Sequence, residues 1–427
     1  MNSSNAKQET SMSLAKQFKQ PHGAKWANDI RLAALNRFND QGAPNKRDEY
    51  WKYTNPQKLT SIPTEPAALF SNEELPMFDG VDRLKIVFVD GVFDKDQSDD
   101  LTLEGAVIET LSEATLTDIH WAKDLFGALE KNGQDPVDRP LAALNTAMAE
   151  QGLIIHITSK CIKPLAIRYI HNSETSDVLV HNVIKLEKNS EFTLLESGAG
   201  AARFNSVLEV DVADNAKFNH IRTQGRDHER KTVTHLFARL AKESIFKSFT
   251  MTVNGILTRN DAILEFNGDD AKATVAGATA GDGVSFHHDD TVFITHDAVN
   301  CESRQVFKKV LRNGATGVFQ GKILVKKDAQ KTDGYQISQG LLLDDNSNFL
   351  AKPELEIYAD DVACSHGSTV GAIDEDALFY LISRGVPRKQ AQDMLVLAFL
   401  AEAIDEIDNN DLAEDINARL AAWMDRR

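Results

Sequence analysis

The sequence NSEFTLLE begins at Asn189, NAKFNHIR at Asn215, ESIFKSFT at Glu243 and DAKATVAG at Asp270, so the starts are 26, 28 and 27 residues apart. Each copy reads as a polar corner, a small Ser or Ala, and a strand with an aromatic or small residue turned inward. Strands recurring with a period in the twenties predict a solenoid whose coils stack their faces into one continuous core. A β-sandwich also gives short strands at regular spacing, but it would be joined by tight hairpins. Asn-Gly hairpin turns are scarce here, and the one candidate, Asn254-Gly255, reads equally well as a corner. A mainly β chain with a parallel β-helix over residues 151–372 is the better reading. LIIHI, LAIRYIH, VLVHNVIKL and FTLLESG supply further strands between polar turns.

On either side of this region the periodicity changes. Residues 1–150 read as a mixed, partly helical N-terminal region, with the first 20 or so polar and expected to fray. Trp26, Ile30, Leu32, Leu35 and Phe38 line one side of a helix ending near Gly42 and Pro44. LKIVFVDGVF reads as strand and turn, DIHWAKDLFGALE and PLAALNTAMAEQG as helices, and Trp51 and Tyr53 as packing anchors. Residues 373–427 read as a helical domain. Asp374 is a fitting N-cap for a helix with Leu378, Phe379, Leu381 and Ile382 on its stripe. Gly385 can close that helix, and Pro387 can open the next as its first residue. Lys389 to Ile407 and Leu412 to Met424 continue the pattern. Because a solenoid must hide its last strand edge, these helices are expected to cap the terminal coil.

The 427 residues are 42% hydrophobic and 26% charged, ordinary for a soluble protein. Lys+Arg 47 against Asp+Glu 64 gives a net charge of −17. That balance argues against nucleic acid or an anionic membrane as the main partner. Cys161, Cys301 and Cys364 are odd in number and far apart, which is no disulfide framework and suits a reducing cytoplasm. The N-terminus lacks the apolar core of a signal peptide, and the longest apolar run, Met394 to Ile404, is too short to span a bilayer. A cytoplasmic location is expected.

Two stretches carry residues able to hold a metal. In PELEIYADDVACSHGSTVGAIDEDALFYLISR, from Pro353 to Arg384, Glu354 to Val362 reads as a strand and Cys364 to Thr369 as a polar turn. Cys364 and His366 form a Cys-x-His pair, soft or borderline ligands suited to iron–sulfur clusters and zinc. A cluster takes four protein ligands, which this chain does not supply from its scattered cysteines. A site shared with a second protein is the more reasonable form. FHHDDTVFITHDAVNCESRQ, from Phe286 to Gln305, gathers His287, His288, Asp289, Asp290, His296 and Cys301. Alternation puts His288 and Asp290 on one strand face and Asp289 on the other. The spacing matches no zinc finger or HExxH helix, so a polar ladder on a β-helix surface is expected instead. Cys161 reads as a small core residue. No P-loop, dinucleotide fingerprint or Gly-x-Ser-x-Gly elbow is present, and no catalytic site is predicted.

The stretch ADDVACSHGSTVGAIDEDALFYLISRG, preceded in order by CESRQVFKKVL, ATGVFQGKI, AQKTDGYQ and PELEIYADD, resembles the SufB/SufD family of SUF iron–sulfur cluster assembly, and its SufD members in particular. The resemblance is dense from about residue 285 to about residue 405 and looser elsewhere. It implies a right-handed parallel β-helix between an N-terminal α/β region and a C-terminal helical domain. It implies a non-catalytic scaffold subunit that pairs with SufB through the β-helix, binds the ABC-type ATPase SufC through its C-terminal helices, and can form a homodimer when alone. His366 matches the family histidine at the SufB–SufD interface. With Cys364 it would contribute to a transient iron–sulfur cluster, or iron, shared with SufB and not held stably by this chain alone. Leu378 to Val386 and Gln390 to Ile404 fall in the ATPase-binding region, and a flavin has been suggested for such complexes. A β-helix carbohydrate-active enzyme is the competing reading of the fold. It would need paired carboxylates in a groove, and the adjacent Asp289 and Asp290 would point apart.

Overall fold

The structure is a computed structural model that describes residues 3–69, 76–225 and 227–425. From Leu153 onward successive strands alternate between two sheets. Glu191–Gly198 and Lys217–Gln224 lie in one, while Arg203–Val212 and Lys231–Leu240 lie in the other. From Leu153 onward neighbours within each sheet run parallel, as in the pairings of Lys217–Gln224 with Ile245–Val253 and of Lys231–Leu240 with Leu257–Phe266, whereas the N-terminal strands Val92–Phe93, Thr102–Leu103 and Ala106–Thr110 pair antiparallel. Each 10-stranded sheet is thus one long wall of a parallel β-solenoid. The wall ending in Val362–Gly371 is called sheet A here, and the wall ending in Asn348–Ile357 sheet B. Both begin in the N-terminal region, where Leu84–Val89 pairs with Leu165–Ile170 in sheet A and Ala106–Thr110 with Leu153–Ile157 in sheet B.

The sequence repeat is a ladder of left-handed corners. Asn189, Asn215, Glu243 and Asp270 have φ of 61°, 56°, 55° and 63°. The backbone N–H of each bonds a carbonyl one coil further on, those of Asp214, Lys242, Asp269 and Val299, at 2.8–3.0 Å. Asn and Asp tolerate this conformation better than other non-glycine residues, which explains the composition of the corners. The next residue, Ser190, Ala216, Ser244 or Ala271, is buried and must be small. Two further copies sit at Asn300 and Lys331, with φ of 58° and 59°. Cys301 takes the small position in the first of these. Inside the wall Phe192, Phe218 and Phe246 stack in register, with ring centroids 6.3 and 5.4 Å apart. Burying each such ring contributes roughly 1.5–3 kcal/mol.

Helices cover the outer faces of both walls. The N-terminal region lays Leu125, Phe126, Leu129, Leu141 and Leu144 on Leu179, Val207, Val233 and Phe237 of sheet B. The C-terminal helices, Arg388–Ile404 and Asn410–Asp425, pack Val396, Leu400, Ile404, Ile416 and Leu420 on Phe249, Met251, Ala278, Val306 and Val310 of sheet A. They therefore flank the solenoid instead of capping its end, contrary to expectation. The apolar outer face of sheet A leaves them a broad surface to bury, and burial is what fixes an amphipathic helix. Arg304 ties them down, its Nε donating to Glu406 at 2.7 Å while its guanidinium stacks on Tyr335.

Asp374 caps Glu375–Ser383, accepting from the N–H groups of Asp376 and Ala377, whereas Pro387 stands at the N-cap just before the next helix. Near the N-terminus Ser3–Ala15 is helical, not frayed. The stretch 118–130 breaks into a 3-10 turn and a short helix around Gly127, whose φ is 70°. Among the described residues no helix is long and apolar enough to cross a membrane.

Candidate functional site at the open end of the solenoid

Asn348–Ile357 and Val362–Gly371 form the last coil, and each is the edge strand of its sheet. The stretch Cys364 to Thr369 is thus strand and not the polar turn its composition suggested. Val362–Gly371 pairs residue by residue with the strand beneath, Cys364 against Gly334, His366 against Gln336 and Ser368 against Ser338. Local strand preference is weak in such a sequence, and the ladder below overrides it. Gly334 helps: a Cβ there would sit 3.1 Å from the Cys364 sulfur, so its missing side chain makes room for the thiol.

Val362 and Cys364 pack with Leu355 against Ile323, Val325, Ala329 and Ala359, which fixes their face of the strand as inward. By alternation His366, Ser368 and Val370 share it. In earlier coils this face is core. Here no coil follows, so His366, Val370, Ala351 and Ile357 are exposed and Cys364, Pro353 and Leu355 half-buried. The solenoid ends in an open, mostly apolar mouth with an imidazole and a thiol on one wall. Burial pushes the Cys364 thiol up, as does the nearby Asp333 charge, against a lowering hydrogen bond from the Gly334 N–H. It is a thiol at neutral pH, and ligation would require loss of its proton.

The two edges differ. In sheet B, NFLAKPELEI carries Pro353 and three charged residues already engaged. Lys352 pairs with Glu49 at 2.7 Å, Glu354 accepts from the Tyr50 hydroxyl at 2.6 Å, and Glu356 meets Lys322 at 2.5 Å. In sheet A, VACSHGSTVG has neither charge nor proline.

The second candidate stretch is placed differently from expectation. Strand His287–His296 lies in sheet B between the lumen and the N-terminal region. His288 and Asp290 face inward, where the Lys309 ammonium lies 2.7 Å from His288 Nδ1 and 2.5 Å from Asp290 Oδ2. Asp289 faces outward, accepting from Thr54 at 2.5 Å and Arg259 at 2.9 Å. All three are buried, so this is interior and not a surface ladder. Burial drives the His288 pKa well down, helped by the Lys309 charge. Burial also raises the Asp290 carboxyl, although Lys309 opposes it. The two aspartates do not form a groove pair for glycoside hydrolysis. Cys161 and Cys301 are buried, their thiols pushed up to about 11 chiefly by burial. Among the described residues no three His, Cys, Asp or Glu side chains come together to hold a metal. Sequence reading missed Lys309 and Gln336. The signal available was a charged or amide side chain falling on the inward beat of an apolar alternation.

Residues 169–399 match the family model for the SUF system FeS cluster assembly SufBD core domain, and residues 12–168 match that for the SufBD protein N-terminal region. The chain belongs to the SufB/SufD family. It is similar to the iron–sulfur cluster assembly protein SufD of Escherichia coli, 28% identical over 399 residues and 89% of each chain. A SufD of Bacillus subtilis is 25% identical over 94% of each chain. A SufBD family protein of Synechocystis is 27% identical over 88% of this chain and 86% of its own. With this family and these buried aspartates the carbohydrate-enzyme alternative has no support.

Proposed function

We propose that this chain is a non-catalytic, SufD-type scaffold subunit acting in the cytoplasm in a complex with SufB and the ATPase SufC. The open end of the solenoid supports this most directly. Its last coil exposes core-type residues at an unpaired edge, the form an obligate partner surface takes. A sister subunit adding its own coil there would bury Val370, Ala351 and Ile357 and enclose His366 and Cys364. Those two residues would offer at most two ligands to a nascent cluster, with SufB supplying the rest. A cluster held across a subunit seam is held loosely enough to leave, which suits cargo more than a resident cofactor.

SufC is proposed to dock on the outer face of the C-terminal helices. The inner stripe of Arg388–Ile404 and Asn410–Asp425 packs on sheet A, but Met394 remains 45% exposed, and on the preceding helix Glu375–Ser383 Phe379 is 71% exposed and Tyr380 57%. Aromatic and methionine side chains are enriched at such interfaces.

Co-expression with SufB and SufC, pull-down, and iron and sulfide analysis test this function. A stable three-component complex should form. His366→Ala should leave the complex intact while lowering cluster content several-fold. A complex with His366→Ala that matures clusters at the normal level would overturn the ligand role. No complex at all would overturn the whole reading.

A further inference from the structure

Gln305, Gln336 and His366 occupy one inward column of sheet A in three successive coils, matched pair by pair in the strand register. Neighbours in such a column lie about 4.8 Å apart. The Gln336 Nε2 donates to Gln305 Oε1 at 2.8 Å. Both glutamines are fully buried, and Gln336 Oε1 meets no donor. The opposite wall holds the amide in place. A Cβ on Gly321 would fall 2.0 Å from Gln336 Nε2, so the amide occupies space that only glycine leaves. Only one coil follows Gln336, and in its column stands His366.

A buried acceptor without a donor costs roughly 1–3 kcal/mol, and the imidazole beside it has an N–H to give. We infer that Gln336 is the positioning residue of His366: its Oε1 accepts the N–H of one ring nitrogen, fixing the tautomer and turning the other nitrogen's lone pair toward the open mouth. Metal-binding histidines are held this way by a carbonyl or carboxylate behind the ring. The His366 backbone is already in register beside Gln336. The purpose assigned to this pairing rests on the ligand role proposed above, but its test does not.

The test is the nitrogen-15 spectrum of the His366 ring in the isolated full-length chain, assigned by its loss in His366→Ala. One dominant tautomer is expected. Gln336→Met, which keeps the volume and removes the acceptor, should convert it to the mixture of an unconstrained imidazole. Gly321→Ala, which displaces the amide without altering it, should do the same. Circular dichroism and unfolding midpoint confirm that each variant is folded. Should either variant fail to fold, Gln305→Met provides the remaining comparison, because freeing the Gln336 amide from its anchor should also loosen the tautomer. A mixed tautomer in the wild-type chain, or a single one that survives these substitutions, overturns the inference. A fixed tautomer in a chain whose His366→Ala variant matures clusters normally would leave this pairing standing and remove only the ligand role.

Discussion

Replacing Lys309 by methionine probes the polar interior of the solenoid. The side chain is 1% exposed and methionine nearly matches its volume, so little of the effect should come from a cavity. What the substitution strands is the Asp290 carboxylate, left with the Asn260 amide at 3.3 Å. Removing one member of a buried ion pair destabilises by roughly 3–5 kcal/mol, and the surviving hydrogen bond places the loss near the low end, about 3 kcal/mol. The pH dependence has a definite sign. Burial already holds the Asp290 carboxyl above its ordinary value, with Lys309 opposing, so without Lys309 it rises further. A carboxyl raised on folding contributes stability below its unfolded pKa and loses that contribution as pH rises through the folded one. The defect should therefore be largest at pH 7 and smaller at pH 5. Guanidinium unfolding of wild type, Lys309→Met and Lys309→Met/Asp290→Asn at both pH values measures it. The double variant should recover most of the loss. A single variant with the wild-type midpoint at pH 7, or a double variant as unstable as the single, would refute the reasoning.

Two further outcomes follow from the buried titratable groups. Burial lowers the His296 pKa to about 4; its stabilising share is complete above its unfolded value near 6.5 and falls away as pH drops toward 4, by about 3 kcal/mol. His296→Gln should flatten that part of the stability–pH curve, and an unchanged slope in urea titrations would contradict it. Of the three thiols only Cys364 is half-exposed, so a maleimide should label the native chain once, at Cys364, and the labelled chain should fail to bind SufB. Labelling at Cys161 or Cys301 without denaturant would contradict the burial described.

The solenoid was legible because its corners demand left-handed backbone, and Asn189, Asn215 and Asp270 declare that demand. The copies at Asn300 and Lys331 escaped notice for a physical reason: the coils lengthen there to 30 and 31 residues, and lysine is no turn signal. The last strand was misread because Cys364 to Thr369 has turn composition, and its strand state is imposed by the coil beneath. Composition also could not show whether His288 and Asp290 face solvent or lumen. Alternation places two residues on one face, but which face is the core depends on the opposite wall, here Lys309. The helices beyond Asp374 were recognised by their stripe, yet a stripe does not say what it covers. Sheet A's outer face, with Phe249, Met251 and Val306, competed successfully with the terminal coil for that cover.

That competition bears on how a complex could be assembled. Had the helices capped the last coil, a sister subunit and an ATPase would contend for one end of the molecule. With Arg388–Ile404 and Asn410–Asp425 on the flank of sheet A, the mouth around His366 is left uncovered, and the proposed sister subunit would not compete with these helices for it. The two edges at the mouth are also unequal. Proline and charge on an edge strand discourage pairing, and Pro353, Lys352, Glu354 and Glu356 give the sheet B edge both. The sheet A edge from Val362 to Gly371 has neither, so it is the strand able to accept another by backbone hydrogen bonds. It is also the strand that carries Cys364 and His366, which puts the proposed ligands at the seam where a partner's strand would join.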